Sequence, residues 1–264
     1  GMKKILLTAG FIIILFAGAY AQNFSGSAEA SNIPFSEPLG KIEPGESLAY
    51  SIEWLGVPVG HITFLAEKPE LIDGHECYHV IARSYPNRYL RKIYDLEYTV
   101  HTYIDTQLLS PRRFINVRRY EQNTNTVQID FDLEKGIAKN QSWGEAGFVN
   151  VSKRREEIKM EVTDKFPPKT QDLLSFFYYF RFTNIKPKVI YPVNVYYNQA
   201  NWKLQITAGQ PFYRELRNKG MFPVSVISVG SNLNDYIMGK QKFTVTLTTD
   251  ARRIPIEFKF GTAL

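Results

Sequence analysis

The 264-residue chain carries 32 Lys and Arg residues against 26 Asp and Glu residues, so its formal net charge of +6 is mild for its length. This charge slightly favours anionic surfaces, but it lacks the clustered basicity of nucleic-acid binders, and we predict no nucleic-acid partner. Aromatic residues are abundant, with 16 Tyr and 18 Phe, a content typical of half-buried pleated sheets. The composition therefore favours a globular, β-rich protein.

The first 21 residues have the pattern of a secretory signal peptide. Lys3 and Lys4 are followed by an apolar run over residues 5–17 and by small residues that end at Ala21. We predict cleavage after Ala21 and localisation in the periplasm or another exported compartment. Gly1 precedes the initiator Met and is interpreted as a tag remnant. No cysteine stands at the cleavage point, which argues against a lipoprotein anchor.

Residues 22–44 are rich in Asn, Ser, Ala, Pro and Gly, which is typical of a flexible leader. A single β-rich domain is predicted from there, over residues 45–264. Alternation of apolar and polar residues predicts the strands of its first half, with turns at 56–60 and 122–125. These strands cover residues 48–54, 62–66, 77–84, 96–104, 112–120, 127–133, 137–140 and 157–163.

Residues 171–182 interrupt the period of two and predict one helix of about three turns. Thr170 is the predicted N-cap, and Asp172 lies in the first turn, where the helix dipole favours a negative charge. The segment is apolar nearly all round, which indicates burial on most sides.

Strands resume over residues 189–197, 202–207, 223–229, 243–249 and 254–260. Regularly spaced strands with one buried helix predict a mainly β fold, formed by a strongly curved antiparallel sheet or an open β-barrel that receives the helix.

Three stretches of the chain resemble one known family. They are residues 45–54 followed by Gly56 and Gly60, residues 171–181, and residues 248–256. In this order they are similar to the bacterial domain-of-unknown-function family numbered 3108. The resemblance implies an exported, β-rich protein without established catalytic residues. The plan of one helix on a curved sheet is also similar to that of periplasmic lipoprotein carriers and their receptors, a likeness of architecture that does not fix function.

His75, Cys77 and His79 alternate along one predicted strand, so all three share one face, and both residue types are good zinc ligands. Neighbours at this spacing lie about 7 Å apart along a strand, which strains a shared metal ion. We therefore predict no metal and no cofactor, and interpret the histidines as outward-facing polar residues. Cys77, the single cysteine, is interpreted as a small, partly buried apolar residue.

The sequence contains no recognisable catalytic motif, and we assign no catalytic residues. His61 and His101 have the chemistry of general bases, but no Ser or Cys stands in a nucleophile motif to pair with them. Asp130 and Asp132 lie on one strand face next to a turn, which is typical of a solvated hairpin.

Two clusters of arginines lie next to predicted strands. Residues 88–94 interleave cations and aromatic residues, a pattern that suits either a membrane interface with anionic headgroups or an ordinary exposed loop. Arg252 and Arg253 occupy a tight turn, and one of them is expected to pair with Asp250 and hold the closing hairpin.

The aromatic excess and the apolar helix favour a non-enzymatic binding or carrier module for an apolar or amphipathic ligand, such as a lipid. The predicted ligand-binding residues are Tyr50, Trp54, Phe64, Phe176 and Tyr179. Two alternatives stay open: an envelope hydrolase acting on glycan or lipid, and a structural partner in an envelope complex that binds through an exposed sheet edge.

Overall fold

The computed structural model describes residues 42–54, 57–144, 160–216, 220–231 and 241–262. The predicted signal peptide and residues 22–41 of the predicted leader lie outside these ranges. The described residues fall into two compact units, residues 42–168 and residues 169–262. The single domain predicted over residues 45–264 stays a prediction.

The first unit contains an antiparallel sheet of nine strands, here called sheet 1. The strands follow the order β1-β2-β4-β5-β6-β7-β8-β9, with the short β3 also paired to β4. Their bounds are β1 Ser47–Trp54, β2 Val57–Ala66, β3 Glu70–Ile72, β4 His75–Pro86, β5 Leu96–Asp105, β6 Pro111–Tyr120, β7 Asn123–Asp132, β8 Ile137–Gly144 and β9 Met160–Lys165. A helical turn, α1 (Arg88–Arg91), joins β4 to β5.

A row of buried side chains crosses sheet 1 and fixes its register. Val80 lies opposite Thr102, Thr102 opposite Phe114, and Phe114 opposite Ile129. All four are 1 % exposed or less. A shift of one residue in any of these strands would turn its apolar side chains to the other face, so burial specifies the pairing.

Two turns of sheet 1 are shorter than predicted. Residues 57–60, predicted as part of a turn, pair with β1 and belong to β2. Asn123, predicted in a turn, pairs with Tyr120. Gly60 lies within a paired strand because a Cβ atom at this position would come within 2.7 Å of the Tyr85 carbonyl oxygen. The glycine therefore permits the close approach of β2 and β4.

The second unit contains an antiparallel sheet of six strands, here called sheet 2. Its order is β10-β11-β13-β14-β15, with β12 paired to β13. The bounds are β10 Ile190–Tyr197, β11 Ala200–Ala208, β12 Phe212–Leu216, β13 Gly220–Ser231, β14 Gln241–Thr248 and β15 Pro255–Thr262. Asn198 and Gln199 form the two-residue turn between β10 and β11 with φ of 51° and 59°, where the sequence predicted a four-residue turn.

Helix α2 (Leu173–Phe182) packs on sheet 2 and is buried, as predicted. Its N-cap is Asp172 rather than the predicted Thr170, because the Asp172 carboxylate accepts hydrogen bonds from Leu174 N and Ser175 N, both at 2.7 Å. The Ser175 hydroxyl accepts a hydrogen bond from Asp172 N at 2.9 Å and completes a capping box. Phe176 and Phe180 are fully buried in the core beneath the helix.

The predicted mainly β fold is confirmed, as two antiparallel sheets rather than one. The described residues form two helices, because the exposed turn α1 accompanies the predicted helix. The predicted strong curvature and open barrel stay a prediction. None of the helices in the described ranges is long and apolar enough to cross a membrane.

Candidate functional site

The predicted ligand-binding residues fall into two groups, one in each unit. Tyr50 and Phe64 contact each other on β1 and β2, with ring centroids 5.6 Å apart and an angle of 83° between the rings. Trp54 ends β1, and its side chain is outside the described part of the structure. Phe176 is buried in the core under α2, whereas Tyr179 is half-buried and packs against that core. Their role in ligand binding stays a prediction.

One face of sheet 1 carries a buried ion pair between β5 and β6. Asp105 Oδ2 accepts a hydrogen bond from Arg112 Nε at 2.7 Å, and both side chains are about 5 % exposed. Asp105 Oδ1 accepts from Gln107 N and Leu108 N, both at 2.8 Å. Burial by itself raises the pKa of Asp105, but the hydrogen bonds outweigh burial and lower it. Arg112 also donates to Glu134, at 3.1 Å.

On the same face, two histidines and a glutamate lie in a row, here called the histidine pair with Glu70. His79 Nε2 and His101 Nδ1 lie 3.0 Å apart and share one hydrogen bond. Glu70 Oε1 lies 2.7 Å from His79 Nδ1 without hydrogen-bond geometry, and the contact is an ion pair only when the imidazole is protonated. Tyr103 stacks on His79 with centroids 4.3 Å apart.

Burial of this pair has electrostatic consequences. His79 is 7 % exposed, so the interpretation of this residue as an outward-facing polar residue is wrong: Glu70, His101 and Tyr103 cover its ring. Burial lowers the pKa of His101, and the nearby charges of His79 and Arg83 lower it further. The two rings therefore form a hydrogen-bonded pair whose His101 member favours its neutral form.

Cys77 is fully buried beside the same cluster. Burial raises the pKa of its thiol to about 11, with a further contribution from the Asp105 carboxylate. At neutral pH the thiol stays protonated, and a protonated thiol is a poor nucleophile. Among the described residues, no group of three or more His, Cys, Asp and Glu is placed to hold a metal ion.

The two aspartates of the β7 hairpin have structural partners. Asp130 accepts a hydrogen bond from Arg113 at 2.5 Å, and Asp132 accepts one from Lys135 at 2.9 Å. They therefore belong to ion pairs on the hairpin, in agreement with the interpretation from sequence.

The loop of alternating cations and aromatic residues forms an ordered projection at one end of sheet 1, here called the β4–β5 tip (residues 88–93). Asn87 caps α1 by accepting hydrogen bonds from Tyr89 N and Leu90 N at 3.0 and 2.9 Å. Asn87 also donates through Nδ2 to Pro58 O at 2.6 Å, which ties the tip to the start of β2. These bonds fix the backbone of the tip.

The tip exposes apolar side chains and cations together. Tyr89 is 64 % exposed and Ile93 is 65 % exposed. Arg88 donates a hydrogen bond to the Tyr89 hydroxyl, and Lys92 is exposed. Within the described residues, neither cation has a carboxylate partner, whereas Arg91 forms ion pairs with Asp95 and Glu97.

The closing turn of sheet 2 has the predicted structural role. Arg252 Nη2 donates to Asp250 Oδ2 at 2.7 Å. Arg253 Nε donates to the carbonyl oxygen of Phe180 near the end of α2, at 3.0 Å. The first bond holds the turn itself, and the second joins the turn to α2.

Several residues of these clusters, among them Asp105, Glu70, Asn87 and Tyr103, were not identified from the sequence. Glu70 is the first residue of β3, a strand of three residues whose pattern is too short to predict. Asn87 was missed although Asn before a short helical turn is a common N-cap. Tyr103 shares the alternation of His101 on β5, and that alternation contained the signal.

Comparison with known proteins gives one match. The model of a family described as "Protein of unknown function (DUF3108)" matches residues 49–264, as the resemblance implied. No curated protein and no solved structure was found to match the chain.

Proposed function

We propose, from the premise that the chain belongs to the DUF3108 family, that it is an exported, non-enzymatic binding module for an amphipathic molecule with an anionic head, such as a phospholipid. The observation that supports this function is the β4–β5 tip. There, Tyr89 and Ile93 are exposed beside Arg88 and Lys92.

The chemistry of the tip matches a lipid headgroup region. Tyr is enriched at membrane interfaces, because its ring is apolar and its hydroxyl group can bond to water. Burying an Ile side chain contributes about 1.5–3 kcal/mol. Each Lys or Arg near an anionic surface adds about 1 kcal/mol. Ile93, Arg88 and Lys92 therefore suffice for measurable binding without a deep cavity.

The tip is also preorganised. The Asn87 side chain bonds the first turn of α1 and the β2 backbone, so the apolar side chains are presented on a fixed backbone. Binding to a fixed surface avoids the ordering cost that a flexible loop incurs. Tyr50 and Phe64 lie in the same unit as the tip, and within this proposal they stay the candidates in that unit for contact with the apolar part of the ligand.

A flotation assay with vesicles tests this function. The mature protein is expected to float with vesicles of phosphatidylcholine and phosphatidylglycerol, and less with phosphatidylcholine alone. Replacing Tyr89 and Ile93 together by Ser should weaken binding at least about tenfold, because each tenfold step needs only about 1.4 kcal/mol. Lys92→Glu should weaken binding to anionic vesicles only.

Matched controls lie elsewhere on sheet 1. Leu108, 49 % exposed in the β5–β6 turn, is replaced by Ser, and the exposed Lys68, which follows β2, is replaced by Glu. Both controls should bind as the parent does. Equal binding by the tip variants and the parent would refute this function.

The exported location is part of the proposal and rests on the pattern of residues 2–21. N-terminal sequencing of the protein from the native envelope should begin at Gln22. Retention of residues 2–21 in that material would argue against export.

An envelope hydrolase is the second candidate, and the histidine pair with Glu70 is the observation that favours it. Glu70 contacts one ring nitrogen of His79, and His101 contacts the other. The negative charge of Glu70 would therefore stabilise the positive charge that forms when His101 takes a proton from water. Hydrolysis of p-nitrophenyl esters that is lost in His101→Gln and kept in the tip variants would support this candidate over the binding module.

A further inference from the structure

The outer edge of β12 is left open where the neighbouring strand of sheet 2 ends. β11 and β12 lie end to end along β13: β11 pairs with residues 227–231 and β12 with residues 220–224. Among the strands that the structure describes, β10 pairs only with β11, and its first residue, Ile190, lies opposite Thr207. Among the described residues, no strand pairs with the outer edge of β12.

This open edge, here called the β12 edge, is bounded at one end. Pro187 forms a bridge to Ala208, so the chain that leads into β10 closes the gap beside the end of β11. Lys186 and Lys188 flank that bridge and are exposed. In the described ranges, neither ammonium group has a carboxylate partner. The closed end of the gap therefore has a positive charge.

The side chains around the gap are apolar and exposed. Tyr213 is 71 % exposed, Ile190 55 % and Phe212 47 %. The pairing of Ile190 with Thr207 and of Phe212 with Val224 places both on the face of sheet 2 away from α2, and Tyr213 alternates to the other face.

The one cation in the middle of β12 is already neutralised. Arg214 forms two hydrogen bonds with the Glu257 carboxylate, at 2.7 and 3.2 Å. Proteins commonly protect an open edge with charged side chains. On β12 the arginine is paired and two of the other exposed side chains are aromatic, so the edge keeps an apolar contact surface beside its backbone groups.

We propose that the β12 edge receives an extended peptide segment that pairs antiparallel to β12 and ends in a carboxylate. Alternate residues of an edge strand direct N–H and C=O groups outward, and these groups supply the backbone hydrogen bonds. Alternating apolar side chains of the segment contact Phe212 and Ile190 on one face and Tyr213 on the other.

The direction of the segment follows from the sheet. A segment antiparallel to β12 runs in the direction of β10 and on the same line, so its C-terminal end meets the bridge at Pro187. There the ammonium groups of Lys186 and Lys188 face its carboxylates. A segment ending in Glu with a free C-terminus matches this charge.

The test uses the mature full-length chain and a fluorescein-labelled peptide of sequence Gly-Thr-Val-Thr-Val-Glu with a free carboxylate. We expect saturable binding by fluorescence anisotropy and, with bound peptide, slower hydrogen exchange at β12 amides. The same peptide with Gln and a C-terminal amide should bind about three- to tenfold more weakly, because two exposed ion pairs are lost.

Three variants locate the binding. Tyr213→Asp and the double change of Lys186 and Lys188 to Glu should each weaken binding, while Leu71→Asp should not, because Leu71 is 72 % exposed and lies in the other unit. Because Tyr213 is exposed, Tyr213→Asp should unfold at the same urea concentration as the parent, and this measurement confirms that it folds.

Absence of saturable binding at millimolar peptide would overturn the proposal. So would binding unchanged in both edge variants, or slowed exchange outside β12. None of these results bears on the vesicle assay, so the two proposals can fail separately.

Discussion

The ion pair between Asp105 and Arg112 gives the sharpest prediction of stability. Asp105→Asn preserves the shape of the side chain and removes its charge. The amide oxygen can still accept from Gln107 N and Leu108 N, but the amide nitrogen then faces the Nε donor of Arg112. The substitution therefore leaves a buried guanidinium opposite another donor.

The expected loss of stability follows from the burial of the ion pair and from the hydrogen bond that Arg112 keeps. Removing one partner of a buried ion pair costs about 3–5 kcal/mol. Arg112 keeps its hydrogen bond to Glu134, which is largely exposed and recovers part of that loss. We expect the free energy of unfolding to fall by about 2–4 kcal/mol.

Urea unfolding at pH 7, followed by circular dichroism, measures this loss as a lower midpoint at unchanged slope. The matched control is Asp132→Asn, whose carboxylate pairs with Lys135 on the surface. The control should unfold close to the parent. A change below about 0.5 kcal/mol in Asp105→Asn, the size of an ordinary surface substitution, would refute the reasoning.

The pH dependence supplies a second measurement of the same pair. The pKa of Asp105 is lowered in the folded protein, so the unfolded chain binds a proton first as the pH falls. The stabilisation is complete above the unfolded pKa of about 3.9 and is lost as the pH falls through the folded value. The difference between the parent and Asp105→Asn should therefore shrink below about pH 4.

Three further predictions concern α2 and the histidine pair. Phe177→Asp should destabilise by several kcal/mol, because the ring packs against Phe258 at 5.2 Å and a charge would replace it; an unchanged melting temperature would exclude this packing. Asp172→Ala should cost about 1–2 kcal/mol through loss of the N-cap, measured by urea unfolding, and Asp172→Asn should recover most of it. The lowered pKa of His101 means that stability falls on acidification below about pH 6.5; His101→Gln should flatten that part of the pH–stability curve, and an identical slope would exclude His101 as the cause.

The sequence alone determined the elements whose periodicity is strong. Alternation along β5 and β6 indicated strands, because Thr102 and Phe114 belong to a buried row and burial of one face gives a period of two. Along β1 the same alternation separates half-buried from exposed side chains. The nearly continuous apolar run of α2 indicated burial on most sides of the helix. The three stretches resembling DUF3108 likewise identified the family.

The ends of the turns and the short strands could be located only from the tertiary structure. Residues 57–60 look like a turn because Gly and Pro favour one, yet pairing with β1 extends the strand through them. β3 and β12 are short, with three and five residues, and their positions depend on neighbouring strands rather than on their own pattern.

The clusters of polar residues depended most on the tertiary structure. His79 and His101 are 22 residues apart, and only the register of β4 and β5 brings His79 Nε2 within 3.0 Å of His101 Nδ1. The alternation of His75, Cys77 and His79 predicted a face, but the depth at which His79 is buried depends on Glu70 and Tyr103, which β3 and β5 supply. Local patterns thus determined strands and the helix, while long-range register decided which side chains meet.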